Sequence, residues 1–221
     1  MKTRLTIFLL FFIALFTQAQ QSLIPRPEKC VLGAGTFVLG GSPVVECAET
    51  GLHGMADSLQ AQLRSLGFSS GQKSGRIECR LQSAMGWNDE SYRIVVKEDK
   101  VVLEASCRTG LFRASQTLLQ MLRAGKGKVR ACSIDDAPRY GWRGFMVDES
   151  RHFFGKEKIL QYLDIMAALK MNVFHWHLTD EPGWRIEIKR YPKLTAEGAV
   201  GNWHDAGAPA RVDTQDDIRE I

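Results

Sequence analysis

The sequence predicts an α/β chain in two parts: a small α+β domain, an antiparallel sheet with two helices, followed by the first part of a (β/α)8 barrel. Three observations predict it. Strand-type and helix-type apolar periodicities alternate through residues 22–136. After the acids and proline of Asp135-Asp136-Ala137-Pro138, a strand, a helix and a second strand follow at the spacing of a parallel βαβ unit. Both of those strands run into polar loops at their C-terminal ends, where a barrel of this kind gathers its active site.

The first twenty residues stand apart. Lys2 and Arg4 precede an apolar run from Leu5 to Phe16 broken only by Thr6, and Thr17-Gln18-Ala19 has the small-x-small form of a signal-peptidase site. The run is too short for a hydrocarbon layer of about 30 Å. Residues 1–19 therefore read as a secretory signal peptide, and the mature protein is expected to be periplasmic or secreted. No cysteine follows the cleavage site directly, which argues against a lipid anchor. No membrane partner is expected once the leader is removed.

In the first domain, residues 22–136, Leu23-Ile24-Pro25-Arg26-Pro27 is a proline-stiffened approach to two short strands, Val31 to Leu39 and Pro43 to Glu46. Leu52, Met55, Ala56, Leu59, Leu63 and Leu66 fall at helical spacing, and Gly67 is placed to end that helix. Ile77, Cys79 and Leu81 alternate with Glu78 and Arg80, the pattern of a half-buried strand. Tyr92 to Lys97 and Val101 to Ala105 flank Glu98-Asp99-Lys100 and predict a hairpin. Leu111, Ala114, Leu118, Met121 and Leu122 form one face of a second helix, closed by Ala124-Gly125-Lys126-Gly127-Lys128. No glycine-rich phosphate loop or ligand cluster occurs here, so this part reads as a supporting domain.

From residue 137 the sequence changes character. Phe145-Met146-Val147 is a short apolar strand ending in Asp148. Ile159, Tyr162, Leu163, Met166 and Leu169 share one face of a helix, and Val173 to Leu178 is a second strand leading into Thr179-Asp180. Thr214-Gln215-Asp216-Asp217 has the form of a capping box at a helix start. Only Ile218-Arg219-Glu220-Ile221 follows, and a barrel needs about 200 residues or more. The expectation is a truncated barrel, residues 137–221 being its incomplete beginning.

Composition narrows the function classes. A net charge of +4 with 44% apolar and 24% charged residues is ordinary for a globular protein. A nucleic-acid partner is not expected, because no basic stripe is present. Cys30, Cys47, Cys79, Cys107 and Cys132 form no CxxC pair, and their odd number leaves at least one thiol unbridged. The preferred reading of these five is buried free thiols. No cofactor and no metal is expected.

The polar residues worth weighing sit at the two barrel-type strand ends. Arg151 and His152 follow the first, His175 and His177 alternate along the second, and Asp180 and Glu181 lie just beyond it. Trp176 and Trp184 bracket these acids, and aromatics with acids and an arginine suit a sugar site. Taken singly, each has a plainer explanation: a loop-start Arg or Asp is more often a cap or surface ion pair, and a strand histidine a satisfied core residue. His175-x-His177 also resembles the metal pair of amidohydrolase-type barrels, but such pairs usually sit on the first strand.

Trp142-Arg143-Gly144-Phe145-Met146-Val147-Asp148-Glu149-Ser150-Arg151-His152-Phe153 resembles the opening barrel strand of family-20 glycoside hydrolases, the β-N-acetylhexosaminidases. Asn172-Val173-Phe174-His175-Trp176-His177-Leu178-Thr179-Asp180-Glu181-Pro182-Gly183-Trp184-Arg185 is similar to their second strand and loop. The linker Asp136-Ala137-Pro138-Arg139-Tyr140 and the run Gly110 to Gln120 fit as well, so the likeness spans essentially the whole mature chain.

The resemblance implies a retaining exo-hydrolase that removes terminal N-acetylglucosamine or N-acetylgalactosamine, with the substrate's own acetamido oxygen as nucleophile, outside the two-carboxylate scheme. The expected partners are N-acetylhexosamine-terminated oligosaccharides or glycoconjugates. The catalytic aspartate and glutamate belong to a His-x-Gly-Gly-Asp-Glu motif on the fourth barrel strand, which these 221 residues do not contain. Asp180-Glu181 is an adjacent acid pair on the wrong strand. By the same resemblance Arg151 grips the C3 and C4 hydroxyls of the terminal sugar. Asp180 supports a histidine of the third strand loop, and Arg143, Asp148 and His177 are scaffold for Arg151 and Asp180. The competing expectation is a non-catalytic glycan-binding or structural module.

Overall fold

In the computed structural model the structure describes residues 23–68, 75–82 and 90–221; the leader-type segment and its cleavage site lie outside them. The chain divides into two compact units, Met1–Arg139 and Tyr140–Ile221.

The first unit is a six-stranded sheet with two helices. Its strands are β1 (Lys29–Val38), β2 (Val44–Cys47), β3 (Arg76–Leu81), β4 (Tyr92–Val96), β5 (Lys100–Ala105) and β6 (Lys128–Asp136), in the order β1-β6-β4-β5-β3-β2. The helices are α1 (His53–Ser65) and α2 (Arg108–Ala124). The sheet is mixed, not antiparallel as expected: β2 pairs with β3, and β3 with β5, in parallel. The reason is local. The α1 helix fills the connection from β2 to β3, and a crossover of that length returns the chain in the same direction. β6 is a further departure: the sequence pattern predicts no element over residues 129–134, and the strand they form lies between β1 and β4.

Register assembles the core. Ile77, Cys79, Val101, Leu103, Ala105, Ile94, Val96, Cys132 and Ile134 fall on one face of paired strands and share a single cluster with Leu59 and Leu63 of α1 and Leu111, Leu118 and Leu122 of α2. Each fully buried leucine or isoleucine contributes about 1.5–3 kcal/mol. Gly67 ends α1 in the left-handed region, φ +67°, where a side chain would be strained. The opposite face is charged. Glu78, expected to be solvated, is buried beneath Lys100 (3.0 Å), Arg76 (3.3 Å) and Arg80.

In the second unit β7 (Gly144–Asp148), α3 (Lys156–Ala168) and β8 (Val173–His177) form a parallel βαβ unit, with Asp148 opposite His177. Tyr162 of α3 packs edge-on against Phe145 at 5.8 Å. Arg143 ties the start of β7 to the end of α3: its Nε donates to the Lys170 carbonyl at 2.8 Å, and its backbone N–H to Asn172 Oδ1 at 2.9 Å. Beyond β8 lie a small hairpin, β9 (Thr179–Asp180) and β10 (Gly183–Trp184), then α4 (Lys193–Ala196) and α5 (Gln215–Glu220). Thr214 and Asp217 complete the capping box that opens α5. Among the described residues no helix is long and apolar enough to cross a membrane.

Candidate active site

The parallel register of β7 and β8 brings their C-terminal ends level. Alternation then turns Met146, Asp148, His175 and His177 to one face, and Phe145, Val147, Phe174 and Trp176 to the other. The backbone N–H groups of Glu149 and Ser150 both donate to the His177 carbonyl, at 3.0 and 3.2 Å, so the β7 loop leaves the strand in one fixed direction.

Four of the residues singled out in the sequence meet there. The Arg151 N–H donates to Asp148 Oδ1 at 3.0 Å, and one guanidinium nitrogen bonds Oδ2 of the same carboxylate. A second guanidinium nitrogen stands 3.1 Å from Asp180 Oδ2, and His177 Nε2 lies 3.3 Å from that oxygen. Half of the Arg151 side chain remains exposed. Burial works to raise the Asp148 carboxyl, but its hydrogen bonds from Arg151 outweigh that and hold it below the usual carboxylate range. Asp180 is also held low, first by the N–H of Glu181 and then by His177. The result is an oriented cation between two ionised acids, with its N–H donors held in fixed directions.

Other residues fare differently. Trp176 does not flank the acids on the site face; its position in the strand turns it to the opposite face, where its Nε1–H donates to Glu149 Oε2. Trp184 donates its Nε1–H to the Ile186 carbonyl at 2.8 Å. The rings of His175 and His177 lie 6.2 Å apart. Among the described residues, no three His, Cys, Asp or Glu side chains gather in a metal-binding arrangement.

Sequence reasoning missed the frame behind Arg151. Glu149 is wholly buried, and its Oε1 accepts the N–H groups of Phe154 (2.9 Å) and Gly155 (2.8 Å). Ser150, also buried, donates its hydroxyl to the Gly183 carbonyl at 2.7 Å. Arg185 is 1% exposed, and its guanidinium donates to the carbonyls of Ala199 and Gly201 (both 2.7 Å) and Ser150 (3.1 Å). It thus fastens the β7 loop to the segment after α4. His152, Phe153, Arg185, Asn202 and Arg211 line a cavity of about 230 Å3 beside that fastening. The available signal was the run of charged residues inside both strand motifs, more than loop surfaces alone require.

Comparison with known proteins bears on these motifs directly. The second unit matches the glycosyl hydrolase family 20 catalytic domain over residues 140–221, and residues 20–137 match domain 2 of the same family. The chain belongs to glycosyl hydrolase family 20. Among curated relatives, a β-hexosaminidase of Vibrio furnissii is 37% identical over 92% of this chain and 35% of its own length. One from Porphyromonas gingivalis is 33% identical over 90% of this chain and 28% of its own length. Among solved structures, the family-20 exo-β-N-acetylglucosaminidase of Vibrio harveyi in complex with N-acetylglucosamine superimposes with a TM-score of 0.79 at 29% identity, over 91% of this chain and 34% of that one. A Bacteroides fragilis β-N-acetylhexosaminidase gives 0.74 at 31% identity, over 90% and 41%. This chain therefore spans roughly a third of the proteins it matches.

Proposed function

We propose that this chain carries the sugar-gripping front of an exported exo-β-N-acetylhexosaminidase, which releases terminal N-acetylglucosamine or N-acetylgalactosamine with retention. The cluster at the strand ends supports this reading most strongly: Arg151 held between Asp148 and Asp180, with His177 on the second acid. A half-exposed guanidinium fixed on two sides keeps N–H donors aimed at a neighbour while losing little conformational freedom on binding. The Asp-Glu pair that orients the acetamido group and protonates the leaving oxygen lies, on this proposal, in a barrel strand outside these 221 residues. The leader-type sequence before Gln20 supports export, and the βαβ unit supports a barrel closed by further strands.

The test is enzymatic. The reading frame containing this chain, continued through whatever follows codon 221, should encode a Gly-Asp-Glu strand and hydrolyse a chromogenic N-acetylglucosaminide, while the 221-residue chain alone should not. Turnover by the isolated chain would refute the assignment of the chemistry to a later strand. Glycan binding by a complete product that lacks such a strand and all hydrolysis would instead favour a binding module.

A further inference from the structure

Four of the five cysteines meet in pairs on the helix-facing side of the first unit's sheet, and the pairs differ in kind. Cys47 of β2 and Cys79 of β3 are direct register partners across a parallel pair, and their thiols hydrogen-bond to one another. Cys30 of β1 and Cys132 of β6 also touch, but diagonally: Cys30 is opposite Ile134, and Cys132 is opposite Leu32. Neighbouring strands lie about 4.8 Å apart, which puts directly opposed Cα atoms inside the roughly 4.4–6.8 Å span of a disulfide. Diagonal neighbours stand about 7–8 Å apart, beyond what a disulfide bridges without moving the backbone.

We propose that Cys47 and Cys79 are joined by a disulfide that clamps the edge strand β2 to β3, while Cys30 and Cys132 stay unbridged. The oxidant is a second disulfide, such as oxidised glutathione or a thiol oxidoreductase. One cysteine thiolate attacks a sulfur of that disulfide and expels a thiolate, leaving a mixed disulfide. The other cysteine then attacks the protein sulfur and expels the second thiolate. Two protein thiols lose two protons and two electrons, and the oxidant gains them as two thiols. The bridge closes a loop that contains α1 and holds in place the outermost strand, which pairs on one side only. Burial raises both thiols, and Glu49 raises them further, so thiolate is scarce once α1 has packed down. The bridge therefore forms before the core closes and is afterwards shielded from reducing thiols.

The test uses the full chain, reduced and unfolded in urea, refolded in a glutathione redox buffer, alkylated in denaturant and mapped by mass spectrometry without reduction. The expected product is a linked Cys47–Cys79 peptide pair, about 2 Da lighter than the two thiol peptides together, beside three alkylated cysteines. Cys47→Ser should abolish the linked pair and leave four alkylated cysteines, with label still on Cys30 and Cys132. Five alkylated cysteines in the wild-type chain, or a link between any other two, overturns the proposal. If the chain does not refold, the chain as purified is oxidised in the same buffer under mild denaturant and mapped in the same way. The Cys47–Cys79 link then supports the proposal, and its absence overturns it.

Discussion

Asp148 holds Arg151 twice, taking its backbone N–H on one carboxylate oxygen and its guanidinium on the other. The pair is partly solvated, so its contribution to stability is small. Its effect on orientation is larger, because the guanidinium direction is fixed by this carboxylate and by Asp180. In the enzyme of the proposed function, Asp148→Asn keeps an acceptor for the backbone N–H and loses the anion. The expected result is a fall in kcat/KM of roughly 10–100-fold with an almost unchanged melting curve. Steady-state kinetics on a chromogenic N-acetylglucosaminide checks this, and an unchanged kcat/KM would remove Asp148 from the positioning of Arg151.

Arg151→Ala should cost more, since it deletes the donors themselves. On the proposed function, loss of a charge-assisted contact to the sugar hydroxyls lowers kcat/KM by roughly 30–1,000-fold. Arg151→Lys should restore only part of this, because an ammonium cannot bridge Asp148 and Asp180 while also facing a sugar. Full activity of the lysine variant would contradict the forked geometry.

Arg185 is a different kind of arginine. Its charge faces three backbone carbonyls from two separate segments and is almost entirely buried. Arg185→Met leaves those carbonyls without donors, so the second unit should lose about 3 kcal/mol or more. Urea unfolding followed by tryptophan fluorescence measures this, since Trp184 and Trp203 lie in the same unit. An unmoved midpoint would mean that water replaces the guanidinium without cost.

These cases show why part of the site was legible in the sequence and part was not. Asp148, Arg151, His177 and Asp180 converge because a βαβ unit aligns its strand ends, and period-2 alternation follows from residue spacing alone. Trp176 obeys the same alternation, which turns it away from the acids. Arg185 and Glu149 depend on carbonyls and N–H groups presented by loops, whose course residue types do not specify. In the first unit, Lys128–Asp136 hid as a strand because its buried residues keep no single period-2 phase: Val129 and Ala131 differ in parity from Cys132 and Ile134. The direction of β2 against β3 was available from the intervening helix, the usual crossover between parallel neighbours.

Thr214 tests local helix chemistry. Its hydroxyl oxygen accepts the Asp217 N–H at 3.1 Å, and Asp217 Oδ2 accepts the Thr214 N–H at 2.9 Å. Asp217 is held far below the usual carboxylate range, first by Thr214 and then by Lys156. Thr214→Ala should destabilise the second unit by about 1 kcal/mol, and Thr214→Ser should be nearly neutral. A thermal melt of the two variants side by side decides it: equal losses would show that the hydroxyl is not the capping group.

Asp213 should make the second unit less stable as the pH rises from acid to neutral. The residue is 2% exposed, and its Oδ2 has no hydrogen-bond partner. Burial first, then the charges of Glu149, Asp217 and Glu157, push its carboxyl up to about 7, with Lys156 offsetting only part. An unfolded aspartate titrates near 3.9. Below that pH both states hold the proton and there is no difference between them. Between about 4 and 7 the folded chain keeps a proton that the unfolded chain has released, so stability falls as pH rises. Above about 7 both are ionised and the loss is constant, at most about 4 kcal/mol. Asp213→Asn resembles the neutral acid and should raise the urea midpoint at pH 8 while leaving it close to wild type at pH 4. Equal midpoints at pH 8 would show that this carboxyl ionises in the folded chain without penalty.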